Sequence, residues 1–340
     1  MKRVKIKKGL NLPISGAPNM VISDGKPVKQ LAVLGEDYIG LKPRFAVEVG
    51  DTVAKGQLLF TDKKMPGVKF TSPGTGKVAA INRGEKRKFL SIVINLTGEK
   101  EISFKAYNAK QIASISREDI CEQLIESGLW TALRSRPFGK VADPEAKPNS
   151  IFITAMDTNP LAPDTELILK ERTEDFKVGA KLISELTDGK VYICKSPGTD
   201  IPVFDSPKAE AVEFSGKHPA GNVGPHIHFL DPVHTEKQVW HISAQDVCAV
   251  GTLFQTGKLN NDRIVSLAGS SVKEPRLITA TLGSSLIDLT EGELTDTENR
   301  IITGSVLSGR KAEAEVAFLG RYHQQISVIP ELAHSGFFAW

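Results

Sequence analysis

Ile151-Phe-Ile-Thr154 and Val191-Tyr-Ile-Cys194, with the apolar series Phe176, Leu182, Ile183 and Leu186 between them, decide the fold. The two short runs have the composition of strands buried on both faces. The series between them recurs at near-helical spacing, and Gly189 stands where a C-terminal cap belongs. Strand, helix and strand joined by short links form a βαβ unit, which predicts a mostly parallel sheet across the middle of the chain. Ser243-Ala-Gln-Asp246 then opens a further helix through Val247, Val250 and Leu253.

Upstream, Ser116-Arg-Glu-Asp119 has capping-box form and leads into Ile120, Leu124, Leu129 and Leu133, a helix ended by the Pro-rich stretch from Arg136 to Pro148. Before it, the first hundred residues read as β structure. Val4 and Ile6 alternate with Arg3, Lys5 and Lys7, a half-buried edge strand with a basic face open to solvent, lipid or a partner. Leu31-Ala-Val-Leu34, Phe45-Ala-Val-Glu-Val49 and later runs are punctuated by Gly and Pro, as in a small barrel or sandwich. Downstream, Arg263–Leu267, Arg276–Thr281 and Arg300–Val306 read as strands and Ser284–Leu289 as a short helix, a compact strand-strand-helix-strand unit. The expected organisation is α/β multidomain: a β-rich unit over 1–102, a Rossmann-like α/β unit over 103–255, a β-grasp unit over 256–329, and at 330–340 the start of a region that runs on.

At 340 residues the chain is too long for one ordinary core, and 24% charged with 40% hydrophobic residues is ordinary globular composition. No stretch approaches the roughly 20 apolar residues of a membrane span. The basic N-terminus lacks the apolar core of a signal peptide, so export by that route is not expected. A net charge of +3 is too small to imply nucleic acid. Cys121, Cys194 and Cys248 lie far apart with no C-x-x-C, which excludes a sequence-local iron–sulfur cluster or zinc ribbon. They are expected to be buried, inert thiols in a reducing compartment.

Segment 45–84 resembles the biotinyl/lipoyl carrier fold in Val47 to Leu59, Thr61-Asp-Lys63 and Ser72-Pro-Gly-Thr-Gly76. Swinging-arm chemistry needs the lysine at a tight hairpin tip. Here the stretch from Lys63 to Pro73 is about two residues longer than in carriers and holds Pro66-Gly67, so an unmodified module with solvated Lys63 and Lys64 is expected. The run from Lys217 to His228 is the most distinctive in the chain, and five of seven histidines fall between His218 and His241. If the run is extended, His226 and His228 share a face and form a candidate metal pair. With no cysteine and no E-x-x-H beside them, a structural loop at a domain interface, or a polar surface facing a quinone or a partner, are the competing readings. No metal site is assigned.

His218-Pro-Ala-Gly-Asn-Val-Gly-Pro-His-Ile-His-Phe-Leu-Asp-Pro232 and Val239-Trp-His241 closely resemble the signature segment of the A-subunit family of sodium-translocating NADH:ubiquinone reductases (Na+-NQR). So do Ala155–Asp164, Leu282-Gly-Ser-Ser-Leu286, Arg300–Gly309 and Gly320-Arg-Tyr-His323. The resemblance covers essentially the whole chain, and family members continue past residue 340.

The family is similar in layout to the C subunit of Rnf complexes and to the flavin-binding subunit of respiratory complex I. This resemblance implies a biotinyl/lipoyl-like barrel-sandwich, a Rossmann-like domain and a soluble-ligand-binding (SLBB-like) β-grasp module. It implies a peripheral location on the cytoplasmic face of a bacterial inner membrane, partnered chiefly by the membrane-embedded B subunit. The whole complex oxidises NADH, reduces ubiquinone and exports sodium. Flavin-binding relatives cradle phosphate with glycines. In the matching Gly128–Gly139 stretch Trp130, Leu133 and Arg134 replace them, so no tightly bound FMN, FAD, NAD or iron–sulfur group is expected here, those belonging to other subunits. Trp130, Arg136 and Phe138 are the quinone-site candidates, against the plainer readings of helix packing and solvated arginine. His218, Gly221, Gly224, His226 and His228 form the interface loop, and no residue is assigned a catalytic role. The alternatives are a carrier using Lys63 and an independent flavoprotein.

Overall fold

The structure is a computed structural model that describes residues 1–331; the expected C-terminal region, from residue 332 on, lies outside the described residues. Strand β1 (Lys2–Lys5) and strand β2 (Asn19–Asp24) come first. Seven short strands follow: β3 (Gln30–Leu34), β4 (Pro43–Phe45), β5 (Thr52–Val53), β6 (Leu58–Asp62), β7 (Met65–Thr71), β8 (Gly76–Arg83) and β9 (Phe89–Leu96). They form two antiparallel sheets, β3-β9-β8-β5 and β4-β6-β7, closed over Phe60, Phe70, Phe89 and Ile92. Phe60 and Phe70 stack with centroids 4.6 Å apart. This is the expected barrel-sandwich.

One expectation here is corrected. Pro66-Gly67 does not loosen the hairpin: it sits within β7, and Asp62 pairs directly with Met65, leaving Lys63-Lys64 as a two-residue tip. Asp62 Oδ1 accepts the Lys64 amide at 3.0 Å and the Lys42 amide at 3.1 Å, which fixes that tip.

The middle unit contains α1 (Ala109–Ala113), α2 (Arg117–Glu126), β10 (Arg134–Arg136), β11 (Ile151–Ala155), α3 (Thr165–Leu169), α4 (Thr173–Ser184), β12 (Val191–Lys195), β13 (Ala209–Ser215), α5 (Val223–Leu230), β14 (Val239–Ser243) and α6 (Ala244–Thr256). Its sheet runs β1-β13-β12-β11-β14-β10, with β10 alone antiparallel. Ile151 and Ile153 face α4 and α6, while Phe152 faces α5, so the apolar runs are buried on both sides as their composition requires. Ser116 and Ser243 cap α2 and α6 by accepting the Asp119 and Asp246 amides. Helix α2 ends at Glu126, well short of Leu133, because Gly128 adopts the left-handed conformation (φ +79°) and turns the chain. Gly189 does not cap α4, which closes at Ser184. A Cβ at Gly189 would lie 1.9 Å from the Asn149 carbonyl oxygen, so close backbone approach is what excludes a side chain there.

The last unit contains β15 (Asp262–Ala268), β16 (Arg276–Thr281), α7 (Leu286–Thr290), β17 (Asn299–Thr303), β18 (Arg310–Lys311) and β19 (Gln325–Pro330), in the order β18-β17-β19-β15-β16-β2. The expected strand-strand-helix-strand core is present, completed by β19.

The 1–102 stretch is not one body. Strand β1 pairs parallel with β13, in the α/β sheet, and Val4 and Ile6 bury against Phe214 and its neighbours. Strand β2 pairs parallel with β16 in the last unit. Cys194 and Cys248 are buried as expected, but Cys121 is only half-buried.

Candidate functional site

Within the parallel sheet the chain runs from β11 outward through β12 to β13, then returns to the other side of β11 as β14. The carboxyl ends of β11 and β14 therefore flank the switch point at which open α/β sheets bind ligands. A cleft of about 750 Å³ lies there. Its walls come from all three units: Asp37 and Ile39 from the barrel, Arg134, Arg136, Asp157 and His241 from the α/β unit, and Arg310, Tyr322 and His323 from the last.

The family-like segments of the sequence converge on this cleft. Gly221 N–H donates to Thr158 Oγ1 at 2.8 Å, which joins the His218 loop to the Ala155–Asp164 segment. A Cβ at Gly221 would stand 2.5 Å from the Thr158 nitrogen, so the contact needs glycine. His218 Nδ1 lies 3.3 Å from Thr158 Oγ1. Gln325 Nε2 donates to the Pro160 carbonyl at 2.8 Å, tying the last unit to the same segment. In the Arg300–Gly309 and Gly320–His323 segments, Thr303 Oγ1 meets His323 Nδ1 at 2.8 Å. The Leu282–Leu286 segment instead joins the barrel, with the Ala32 amide donating to the Gly283 carbonyl at 2.8 Å.

The histidine pair is corrected. Val223–Leu230 is helical rather than extended, so positions two apart point to different faces. His226 is buried against Phe214, with Nε2 at 2.9 Å from the Ala220 carbonyl, and its pKa is pushed down to about 4 by burial. His228 is exposed. No group of three or more metal-ligating side chains occurs among the described residues.

The quinone-site candidates are split. Trp130 is fully buried; its indole N–H donates to the Ala142 carbonyl at 2.7 Å, and its ring packs edge-on to Trp240 at 5.6 Å. Phe138 is 73% exposed on the turn after β10. Only Arg136 lines the cleft. In the Gly128–Gly139 stretch alternate amides are already engaged: Thr131 to the Gly128 carbonyl, Leu133 to Trp130, and Ser135 to Lys140. Such a turn offers no row of free N–H groups to a phosphate.

Arg136, together with residues to which the sequence reading assigned no site role, sets the electrostatics. Asp246 is buried and bound by Arg263 at 2.7 Å, Arg321 at 2.9 Å and Ser243 Oγ at 2.8 Å. Burial alone would raise its pKa, but the two guanidiniums outweigh that and hold it at about 2. Asp37 pairs with Arg310 and accepts the Arg321 amide at 2.8 Å. By contrast, neither Arg134 nor Arg136 has a carboxylate within ion-pair distance among the described residues. Arg134 stacks on the Tyr322 ring at 4.0 Å, and Arg136 Nε donates to His241 Nε2 at 3.3 Å. Burial lowers the pKa of both arginines, and the charge of Arg134 adds to the effect on Arg136. His241 is held neutral, well below the ordinary histidine range, by burial and by the two arginines. His323 is held at about 4 by burial. The cleft thus presents two guanidiniums outside ion-pair distance of the carboxylates that share its walls (Glu36, Asp37, Asp157 and Asp246), beside neutral imidazoles. It suits a ligand that brings carbonyl or anionic oxygens. No local pattern marks this set, because even bonded members such as Asp37 and Arg321 lie 284 residues apart.

Fold and cleft define a three-module α/β protein with a cleft at the modules' junction. The matching family models are the NqrA N-terminal barrel-sandwich hybrid domain over residues 4–97, the NqrA second alpha/beta domain over 115–259 and the NQRA C-terminal domain over 264–314. The chain belongs to the NqrA family, the A subunits of the Na(+)-translocating NADH-quinone reductases. It is 54% identical to the family member from Vibrio campbellii and 51% to that from Neisseria gonorrhoeae, each over 99% of this chain and 75% of the relative. The member from Saccharophagus degradans is 52% identical over 96% of this chain and 73% of its own length. Among solved structures, a chain of an NAD+-reducing [NiFe]-hydrogenase aligns at 12% identity and TM-score 0.42, over 66% of this chain and 51% of that one.

Proposed function

We propose that this chain is the peripheral, quinone-end component of a Na(+)-translocating NADH-quinone reductase. It contributes to ubiquinone reduction and to assembly of the complex on the cytoplasmic side, against the membrane-embedded B subunit, and it holds no flavin or iron–sulfur group of its own. The observation that carries this reading is the junction cleft, where the two unpaired arginines meet most of the family-like segments. A quinone head needs an apolar slot and one or two donors for its carbonyls. Ile39, Met156 and Ile242 supply apolar wall, and Arg136 and Arg134 the donors. Of the original candidates, Arg136 keeps a direct role; Trp130 supports the wall from behind and Phe138 stands outside. The engaged amides of Gly128–Gly139 leave no phosphate cradle there, which supports reading this stretch as unsuited to a flavin. No helix among the described residues is long and apolar enough to cross a membrane.

Titrating the chain with a short-tailed ubiquinone, read by tryptophan fluorescence, tests the reading. Arg136→Leu is expected to weaken binding about tenfold or more, because a charged donor is lost, whereas Phe138→Ala leaves it unchanged. Wild-type affinity in Arg136→Leu removes the cleft as the quinone site. The hairpin-tip position of Lys63 keeps a second reading open, a lipoyl- or biotinyl-bearing carrier. An intact mass without such an increment, from cells able to attach it, excludes that one.

A further inference from the structure

On the barrel side of Ile39 lies a second cleft of about 740 Å³, and its chemistry differs from that of the junction. Its walls include seven lysines and arginines and a single carboxylate, Glu36. Glu36 is taken by Lys88 at 2.6 Å, and Arg310 is taken by Asp37. Lys42, Lys63, Arg83, Lys86 and Arg87 remain without an ion pair among the described residues, and all five are exposed. This local excess is larger than the net charge of the entire chain, +3, so the rest of the molecule is close to neutral or acidic.

Two hairpin tips build the patch. Lys63 occupies the β6–β7 tip. Lys86 and Arg87 occupy the β8–β9 tip with φ of +51° and +61°, a conformation that L side chains adopt at a cost. Two adjacent strained residues, both basic and both outward, spend folding energy on display.

Apolar side chains rise from the same face. Ile39, 57% exposed, separates the two clefts. The Pro137–Lys140 turn packs beside it, since a Cβ on Gly139 would lie 3.5 Å from Ile39 Cδ1. That turn projects Phe138, with Lys140 Nζ 5.9 Å from its ring centroid. A basic field around exposed Phe and Ile matches the two signals of interfacial membrane binding: attraction of cations to anionic headgroups and shallow insertion of apolar side chains.

We infer that this face, carried on the two barrel hairpins and the Phe138 turn, rests on the anionic surface of a lipid bilayer. A small soluble anion would use the cations but not Phe138 and Ile39. An acidic protein would use both, and is separated by the test below. The inference goes beyond the quinone reading and does not depend on it.

Flotation of the full 340-residue chain with phosphatidylcholine vesicles containing about 30% phosphatidylglycerol, against pure phosphatidylcholine, at about 0.15 M salt, provides the test. Binding to the anionic vesicles only is expected. Lys86→Glu/Arg87→Glu and, separately, Lys42→Glu/Lys63→Glu are each expected to weaken it about tenfold or more. Ile39→Ser/Phe138→Ser is expected to weaken it with the salt dependence retained. Absence of binding, equal binding to both vesicles, or wild-type affinity in both charge-reversed variants overturns the inference; the last outcome would transfer binding to another surface such as β1. In the assembled complex, Lys63 and Lys86 should react faster with an amine reagent in detergent than in liposomes. Equal protection in both means that another protein of the complex covers the face, and sinks the proposal. The two charge-reversed variants lie outside the junction cleft and are expected to leave ubiquinone titration unchanged, which keeps this test separate from that of the quinone reading.

Discussion

Asp246 keeps its charge in the interior because Arg263, Arg321 and Ser243 all reach it. With the folded pKa at about 2, against an unfolded value of about 3.9, its contribution is fully present above about pH 4 and is lost as pH falls towards 2. The shift corresponds to roughly 2–3 kcal/mol. Asp246→Asn leaves two buried guanidiniums short of a counter-charge and is expected to cost about 3–5 kcal/mol in urea unfolding at neutral pH. His226 and His323 act in the same direction over a higher pH range. Both sit at about 4 when folded and about 6.5 when unfolded, so the unfolded chain binds more protons between those values. The stability tied to their neutral form is present above pH 6.5 and lost as pH falls through 4. Urea midpoints should decline from pH 7 to 4.5, and less steeply in His226→Leu; a flat wild-type profile would contradict the buried, neutral imidazoles. Trp130→Ala, which empties a wholly buried indole site, should cost about 3–5 kcal/mol. At this scale the sequence showed which residues were unusual but not which way they faced. Trp130 and Phe138 are eight positions apart, one wholly buried and the other among the more exposed hydrophobic side chains.

Among the elements, α4 and α6 cross where two glycines remove the side chains. A Cβ at Gly179 would come within 1.9 Å of the Val247 carbonyl oxygen, and one at Gly251 within 1.9 Å of that of Asp175. Neither has positive φ, so closeness rather than backbone freedom requires glycine. Gly179→Ala or Gly251→Ala should part the helices and cost about 3 kcal/mol, read by thermal or urea unfolding, despite alanine's better helix propensity. Caps and periods were legible: Ser116 and Ser243 begin helices as their spacing foretold. Helix α5 was not, because Gly221-Asn-Val-Gly-Pro225 reads as a loop. Proline is tolerated in the first turn, where its missing N–H has no intrahelical partner. That misreading produced the apparent histidine pair.

Over the whole molecule, the three units are joined by more than linkers. One hydrophobic cluster runs from Phe60 and Phe70 in the barrel through Trp130 to Phe254 on α6. Strands β1 and β2 extend the sheets of the two other units before the chain reaches the barrel. Removing residues 1–24 should therefore raise amide exchange at β13 and β16, while β8 and β9, paired within the barrel, keep their protection; uniform loss across all three units would contradict this. The fold class was legible because each unit's periodicity is local. The two strand additions and the cleft were not, since their partners are set by tertiary geometry between residues hundreds apart.

Strand β2 also fixes an order of events. Ser23 Oγ donates to the Leu277 carbonyl, 254 residues later, and both edges of that pairing belong to one sheet. During synthesis the second strand made must wait with its backbone unpaired until more than three quarters of this chain has emerged, and its Met20, Val21 and Ile22 stay exposed even in the finished sheet, where β2 is an edge strand. Sequence separation of that size slows closure, so the last unit can complete its sheet only late in translation. Slow synthesis, or a chain interrupted before β16, would leave an apolar edge strand available to a holdase chaperone or to a neighbouring nascent chain.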